Sequence, residues 1–236
     1  MTTLKEKVLS RITEDFQVMS KVVIKQINLT KMLMENNKDE EIHTEVYNNE
    51  RIIDSLDVKM RDEVINTIVL YSPRASNLRM IISYYDMTAY LERIGDLIVN
   101  ICGFLKQTDI HAPLFLQYKE SLLNMLSLTE DMTQNAIFAF TCEDAQLART
   151  TIETDDEVDT YYHEISRNLP KDCNGQKLNE QQITDTLSIN SMSYNIERIG
   201  DNATNIAEAA IYLMEGKNIK HAGNYTDNVL KAGSEG

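Results

Sequence analysis

The segment Leu91-Glu92-Arg93-Ile94-Gly95-Asp96 decides the fold, because the chain repeats most of it as Ile196-Glu197-Arg198-Ile199-Gly200-Asp201. Counted from Asp96 to Asp201, the copies are 105 residues apart, and they stay in register at Asn100-Ile101 and Asn205-Ile206. This period is too long for a solenoid of small units, so it indicates two copies of a whole supersecondary unit. The sequence therefore predicts an internal duplication.

Both copies are predicted to be helical. Only 8 Gly and 3 Pro interrupt the 236 residues, and helix-favouring residues are plentiful. Apolar residues recur three or four positions apart, as a buried helical stripe requires; in the first segment they are Leu4, Val8, Ile12, Phe16, Met19, Val23 and Ile27. Polar breaks near residues 36 and 141 repeat the same offset, and the three prolines are interpreted as interhelical breaks.

These patterns predict an all-α fold of two tandem antiparallel three-helix bundles, because short connections make sequential helices antiparallel neighbours. Residues 1–110 would form the first repeat and residues 111–216 the second. Residues 217–236 lack apolar periodicity and are expected to be a flexible tail. The expected helix ends are Glu35, Tyr71, Lys106, Phe140, Pro170 and Met214, with Gly216 as the final stop.

Composition limits the partners. A formal net charge of −14 argues against nucleic acid, whose phosphates require a cationic surface, and against anionic membranes. The longest nearly apolar stretch, Leu97 to Leu105, is too short to cross a bilayer, and the N-terminus does not resemble a secretory signal. Three separated cysteines form no disulfide framework. A soluble, cytoplasmic protein is expected.

Acidic pairs spaced four residues apart recur in both copies, each pair on one face of a helix. The third and sixth predicted helices carry one pair each within the repeated segment, and the 105-residue offset relates two further pairs on the second and fifth helices. The eight residues are Glu50, Asp54, Glu92, Asp96, Asp155, Asp159, Glu197 and Asp201. Carboxylates on largely apolar helices need cations, so we predict metal ligands; an ordinary solvated helix face is the alternative.

Other residues near these pairs could support a metal site. Arg93 and Arg198 could supply positive charge, Asn100 and Asn205 extend the acidic lines, and His163 could add a nitrogen ligand. Oxygen donors suit hard or borderline ions, and carboxylates can bridge two ions. We predict divalent or trivalent iron, manganese, magnesium or zinc in mononuclear or multinuclear sites.

Two glycines lie inside predicted helices, where glycine costs about 1 kcal/mol relative to alanine. Gly95 and Gly200 occupy the same position in the two copies. We expect them to permit a close approach between helices beside the carboxylates, which a methyl group would obstruct.

The sequence lacks the motifs of the common enzyme classes. It has no phosphate-cradling glycine-rich loop, no Gly-x-Ser-x-Gly elbow and no His-Glu-x-x-His pair. We predict that the protein is not an enzyme. Metal-assisted hydrolysis at the carboxylates is the alternative, although no base or substrate pocket is identified.

The doubled Glu-Arg-Ile-Gly-Asp segments, each followed by Asn-Ile and each closing a three-helix repeat, resemble the PhoU family of phosphate-transport regulators. The resemblance covers nearly the whole chain to about Gly216. Residues 72–79 also resemble the family's segment entering the third helix, although Asn77 stands where that family commonly has Asp.

This resemblance implies a function. The protein would be a cytoplasmic negative regulator of phosphate uptake and phosphate-starvation signalling, acting as an adaptor between the phosphate ABC transporter and its sensor histidine kinase. Family members are often homodimers and carry multinuclear metal clusters on acidic motifs that match the eight carboxylates named above. An accessory role at another type of phosphate transporter is the alternative.

Overall fold

A computed structural model describes residues 4–73 and 75–216, and it contains six α helices and no strand in those ranges. The predicted tail, 217–236, lies outside the described residues. The helices are α1 (Leu4–Glu35), α2 (Glu40–Tyr71), α3 (Ala75–Gln107), α4 (Pro113–Thr141), α5 (Ala145–Asp172) and α6 (Glu180–Glu215). The prediction of two antiparallel three-helix bundles is confirmed; the boundary between the repeats at residue 110 stays a prediction.

Short polar residues cap the beginnings of α2, α5 and α6. The Asp39 carboxylate accepts hydrogen bonds from the backbone N–H groups of Glu41 and Ile42, both at 3.1 Å, and so satisfies two donors that the first turn of α2 leaves free. Asn179 and Gln182 form a reciprocal capping box at the start of α6. Gly216 ends α6 with φ of 68°, which confirms the predicted stop.

The interpretation of all three prolines as interhelical breaks is wrong for two of them. Pro73 does lie between α2 and α3. Pro113 is the first residue of α4, where its missing N–H group would have had no helical partner in any case. Pro170 lies inside α5, which continues to Asp172. Pro170 has no N–H group to donate to the carbonyl of Ser166, so α5 loses one hydrogen bond in its last turn but continues for two more residues.

Within each half the three helices pack on one another, and the two halves join chiefly through α3 against α6, with α1 against α4 beside them. An aromatic cluster crosses this junction: Phe16, Tyr84 and Phe140 have ring centroids 4.9–5.8 Å apart. Each fully buried large apolar side chain contributes roughly 1.5–3 kcal/mol to stability. The buried residues form one continuous core through both repeats.

Polar contacts also fix one repeat against the other. Glu130 of α4 accepts hydrogen bonds from Asn28 at 2.7 Å and from Lys31 at 2.5 Å, both on α1. Asp185 of α6 is buried and accepts a hydrogen bond from the backbone N–H group of Asp109, just beyond α3. None of the described helices is long and apolar enough to cross a membrane.

Candidate metal centre

In each repeat, a glycine of the third helix faces a carboxylate of the second helix. A Cβ atom added at Gly95 of α3 would lie 2.7 Å from Oε2 of Glu50 on α2. A Cβ atom added at Gly200 of α6 would lie 2.9 Å from Oδ1 of Asp155 on α5. Both distances are shorter than real Cβ contacts, so the expected role of the two glycines is confirmed.

The first carboxylate cluster consists of Glu50 and Asp54 from α2 and Glu92 and Asp96 from α3. Glu50 and Glu92 are half-buried, whereas Asp54 and Asp96 are exposed. Burial, reinforced by the negative charges of Asp96 and Asp54 and opposed by a hydrogen bond from Gln26, raises the pKa of Glu50 to about 7. The four predicted residues therefore act on one another electrostatically.

Glu92 extends this cluster toward a second pair on α2. Burial and then the charge of Asp96 raise its pKa, with smaller effects from Asp57 and Asp54, while Arg61 lowers it. Asp57 itself binds Arg61 through both carboxylate oxygens, at 2.8 and 2.7 Å from Nε. The positive charge of Arg61 is therefore directed first at Asp57.

The second carboxylate cluster consists of Asp155 and Asp159 from α5 and Glu197 and Asp201 from α6. Burial, followed by the charges of Asp201 and Asp159, raises the pKa of Asp155 to about 6 and that of Glu197 to about 7. Burial also raises the pKa of Asp201, although the charge of Arg198 opposes it. The second repeat thus reproduces the crowding of carboxylates found in the first.

Buried oxygens without partners mark both clusters. Oε1 of Glu50 and Oε2 of Glu197 are shielded from solvent and accept no hydrogen bond. A buried carboxylate oxygen in this state is costly, and a cation would relieve the cost. In residues 4–73 and 75–216, however, no three His, Cys, Asp or Glu side chains already stand at metal-binding spacing. The donor type and charge fit a hard cation, and in the first cluster Asp54, Glu92 and Asp96 would have to turn toward Glu50 to enclose one.

The predicted supporting residues divide into two groups. Beside the second cluster, Nε of Arg198 lies 3.5 Å from Oδ2 of Asp201, and its Nη1 donates to the Tyr194 hydroxyl at 3.0 Å. Asn205 donates to the backbone oxygen of Asp201 at 2.7 Å. These two residues therefore contact the acidic stretch of α6, one through a side chain and one through the backbone.

The other three lie farther from carboxylate oxygens. The guanidinium of Arg93 stacks over the Tyr90 ring at 6.0 Å, and Asn100 is exposed. Nδ1 of His163 donates to the backbone oxygen of Asp159 at 2.7 Å, so the ring contacts the backbone rather than the carboxylate. His163 is exposed, and its metal-ligand role stays a prediction.

Sequence reasoning missed Gln26, Asp57, Arg61 and Tyr194. Gln26 is fully buried in α1, and its Nε2 donates to Oε2 of Glu50 at 3.2 Å. One signal in the sequence could have identified Gln26. It lies three residues after Val23 and four before Thr30, a position on the buried stripe of α1 where an apolar residue is expected. Asp57 and Arg61 form an i,i+4 pair that resembles any solvated ion pair, so nothing in the sequence connects them with Glu92.

Comparisons with known proteins point to one family. The PhoU domain model matches residues 16–105 and again residues 122–210. A "phosphate-specific transport system accessory protein PhoU homolog" of Aquifex aeolicus is 33% identical, with 79% of this chain and 82% of that protein covered. The PhoU accessory protein of Serratia marcescens is 28% identical over 80% of this chain and 75% of its own length.

Two solved structures share the architecture. The crystal structure of PhoU from Pseudomonas aeruginosa superposes with a TM-score of 0.80 at 27% identity, covering 89% of this chain and 99% of that one. The phosphate transport system regulatory protein PhoU of Streptococcus pneumoniae gives a TM-score of 0.79 at 21% identity, covering 91% and 99%, and shows the fold alone. Both match over nearly the whole described length.

Proposed function

The chain belongs to the PhoU family, and from that premise we propose that it is a negative regulator of phosphate uptake and of phosphate-starvation signalling. The observation that carries the proposal is the family match in both repeats, together with relatives named as phosphate-specific transport system accessory proteins. An accessory role in phosphate transport is the common content of those names. The regulatory direction and the partners below go beyond it.

The protein would act as a non-catalytic adaptor in the cytoplasm between the phosphate ABC transporter and its sensor histidine kinase, as a homodimer. The net charge of −14 disfavours nucleic acid and anionic membranes as partners, and proteins are the remaining class of macromolecular partner. The relatives' description as accessory proteins favours this role over metal-dependent hydrolysis.

The carboxylate clusters would make the adaptor sensitive to metal. Iron, manganese, magnesium or zinc would be held by Glu50, Asp54, Glu92 and Asp96 in the first repeat, and by Asp155, Asp159, Glu197 and Asp201 in the second. A bound cation supplies the positive charge that neighbouring carboxylates require. The unpaired oxygens of Glu50 and Glu197 support this assignment.

Repulsion between facing carboxylates would couple cation binding to the packing of the helices. Without a cation, Asp96 repels Glu50 across the contact between α2 and α3, and Asp201 repels Asp155 across the contact between α5 and α6. Neutralising these pairs holds the helices together at Gly95 and Gly200. The partner-binding surface of each bundle would then depend on cation occupancy.

The test is a phosphate-starvation promoter reporter in phosphate-rich medium. Cells lacking the protein should show high reporter activity, and the returned protein should silence it. The double variant Asp96→Asn with Asp201→Asn should restore silencing incompletely, whereas Asp131→Asn, an exposed carboxylate on α4, should restore it fully.

An unchanged reporter in cells lacking the protein would contradict negative regulation. Phosphate uptake measured in the same strains would then test an accessory role at another type of phosphate transporter. Phosphoester turnover that depends on metal and disappears in Asp96→Asn would instead favour the hydrolase.

A further inference from the structure

We infer that Gln26 of α1 is a positioning residue for the first carboxylate cluster: it holds one oxygen of Glu50 and leaves the other for a cation. The two clusters are consequently unequal, and the first binds its cation more tightly. This inference rests on the metal binding proposed above.

The amide of Gln26 bridges two points on α2. Its Nε2 donates to the backbone oxygen of Val46 at 3.1 Å and to Oε2 of Glu50 at 3.2 Å. Both partners are acceptors, so the NH₂ group must face them and the amide orientation is determined. Gln26 therefore ties α1 to the carboxylate and to the helical turn that carries it.

The position of Gln26 is unusual for a residue that only fills space. The side chain is fully buried, and its Oε1 has no hydrogen-bond partner. An unpaired buried amide oxygen is costly, and leucine or methionine would fill the same place in the apolar stripe without that cost. A role for the two donated hydrogen bonds explains why an amide is accommodated there.

Glu50 is held from a second side by α3. Its Oε2 lies 2.7 Å from where a Cβ of Gly95 would be, and the Cδ1 atom of Ile53 lies 3.2 Å from the same point. Oε1 lies 3.3 Å from that point, so both carboxylate oxygens face Gly95, while Gln26 holds Oε2 from the side of α1. Oε1 of Glu50, buried and without a partner, is the remaining acceptor.

The second cluster has no such support from the first helix of its repeat. The buried side chains of α4 in the described structure include no amide. This cluster instead carries an internal cation, since Arg198 lies 3.5 Å from Asp201. In the first cluster the neighbouring Arg61 is paired with Asp57. In the first cluster, therefore, a metal ion binds a carboxylate that Gln26 already orients. In the second cluster it competes with the positive charge of Arg198.

The experiment measures free Mn²⁺ by electron paramagnetic resonance during titration of the full chain. Gln26→Met keeps the volume but removes the donor, and it should weaken the tightest class of Mn²⁺ sites roughly tenfold, as loss of a group that orients a metal ligand does. Thr30→Val is the matched control: Thr30 is fully buried one turn along α1, and its hydroxyl donates to the backbone oxygen of Gln26 at 2.9 Å. That control should leave the affinity unchanged.

A double-mutant cycle separates positioning from packing. If Gln26 acts through Glu50, the variant Gln26→Met with Glu50→Gln should bind Mn²⁺ no more weakly than Glu50→Gln alone. Gln26→Asn, which keeps an amide but retracts its donor, should behave like Gln26→Met. Helix content and the melting temperature of each variant establish that it is folded.

Equal weakening by Gln26→Met and Thr30→Val would overturn the inference, as would additive losses in the cycle. Unchanged affinity in Gln26→Met would also overturn it while leaving the proposed metal binding intact. If the unmodified chain binds no Mn²⁺, both the metal binding and this inference are refuted.

Discussion

Gly95 of α3 faces Glu50 of α2 so closely that a methyl group on the glycine would lie 2.7 Å from the carboxylate. The corresponding Gly200 faces Asp155 at 2.9 Å. In both repeats, therefore, a glycine inside a long helix faces a carboxylate whose pKa is raised. Each glycine, by lacking a side chain, leaves the space that the facing carboxylate occupies.

Gly95→Ala should fold but displace the Glu50 carboxylate. The helix gains about 1 kcal/mol in propensity, but it loses the hydrogen bond from Gln26 and crowds Ile53, which together cost about 2 kcal/mol. We expect a net loss of about 1 kcal/mol in the free energy of unfolding, measured by urea denaturation, and weaker Mn²⁺ binding.

Gly103→Ala is the matched control for that substitution. Gly103 lies on the same helix, and an added Cβ would meet nothing within 4 Å. It should raise the free energy of unfolding by about 0.5–1 kcal/mol and leave Mn²⁺ binding unchanged. Equal stabilisation by both substitutions would contradict the close contact at Gly95.

The metal-free protein should lose stability as pH rises toward neutrality. The pKa values of Glu50 and Glu197 are raised from 4.5 to about 7. Between pH 4.5 and about pH 7 these two groups bind more protons in the folded state than in the unfolded state, so the free energy of unfolding falls with increasing pH. After allowance for solvent screening of these half-buried groups, the ionisation of each glutamate should lower the free energy of unfolding by roughly 1–2 kcal/mol between pH 5 and pH 7.5.

Two variants identify the source of this pH dependence. Glu50→Gln with Glu197→Gln should reduce the decline in denaturation experiments with chelator present, because neither amide titrates; Asp155, whose pKa is raised to about 6, accounts for the smaller decline that remains. Added Mn²⁺ should flatten the decline in the unmodified protein by neutralising the carboxylates. A decline of unchanged size in the double variant would place the responsible groups elsewhere.

Arg198→Gln should strengthen Mn²⁺ binding at the second cluster. Arg198 supplies a positive charge 3.5 Å from Asp201 and opposes the rise in that residue's pKa. A partly exposed ion pair is worth at most about 1 kcal/mol, so we expect an affinity gain of up to about fivefold in the same titration. Arg93→Gln is the control, because Arg93 stacks over Tyr90, and it should change the affinity little.

Much of the architecture was predictable because it depends on repetition and periodicity. The doubled segment around Gly95 and Gly200 established the duplication, and apolar spacing located the six helices. Proline positions were less informative, because a proline in the first turn of a helix removes no hydrogen bond and one in the last turn removes a single bond. Pro113 therefore begins α4, and Pro170 lies in the last turn of α5. Neither proline separates two helices, although proline inside a helix usually ends it.

The candidate site was predictable only where its residues follow the repeat. Spacing selected the eight carboxylates as candidates, since i,i+4 pairs share a helix face whatever the tertiary structure; their role as metal ligands stays a prediction. Gln26 reaches Glu50 across 24 residues of chain, and no local pattern encodes that contact. His163 illustrates the converse: its spacing from Asp159 is helical, but the rotamer directs Nδ1 to a backbone oxygen.

Removing metal should loosen two specific helix pairs rather than the whole chain. Without a cation, repulsion acts between α2 and α3 at Glu50 and Asp96, and between α5 and α6 at Asp155 and Asp201. Hydrogen exchange with and without chelator should therefore accelerate around these four positions. The core of α1 and α4, held by apolar contacts and the aromatic cluster around Phe16, should exchange equally slowly in both states. The control is the variant Asp96→Asn with Asp201→Asn. Because the repulsion is absent in this variant, chelator should have little effect on its hydrogen exchange. Uniform acceleration in all six helices of the unmodified protein would instead mean that metal stabilises the fold as a whole.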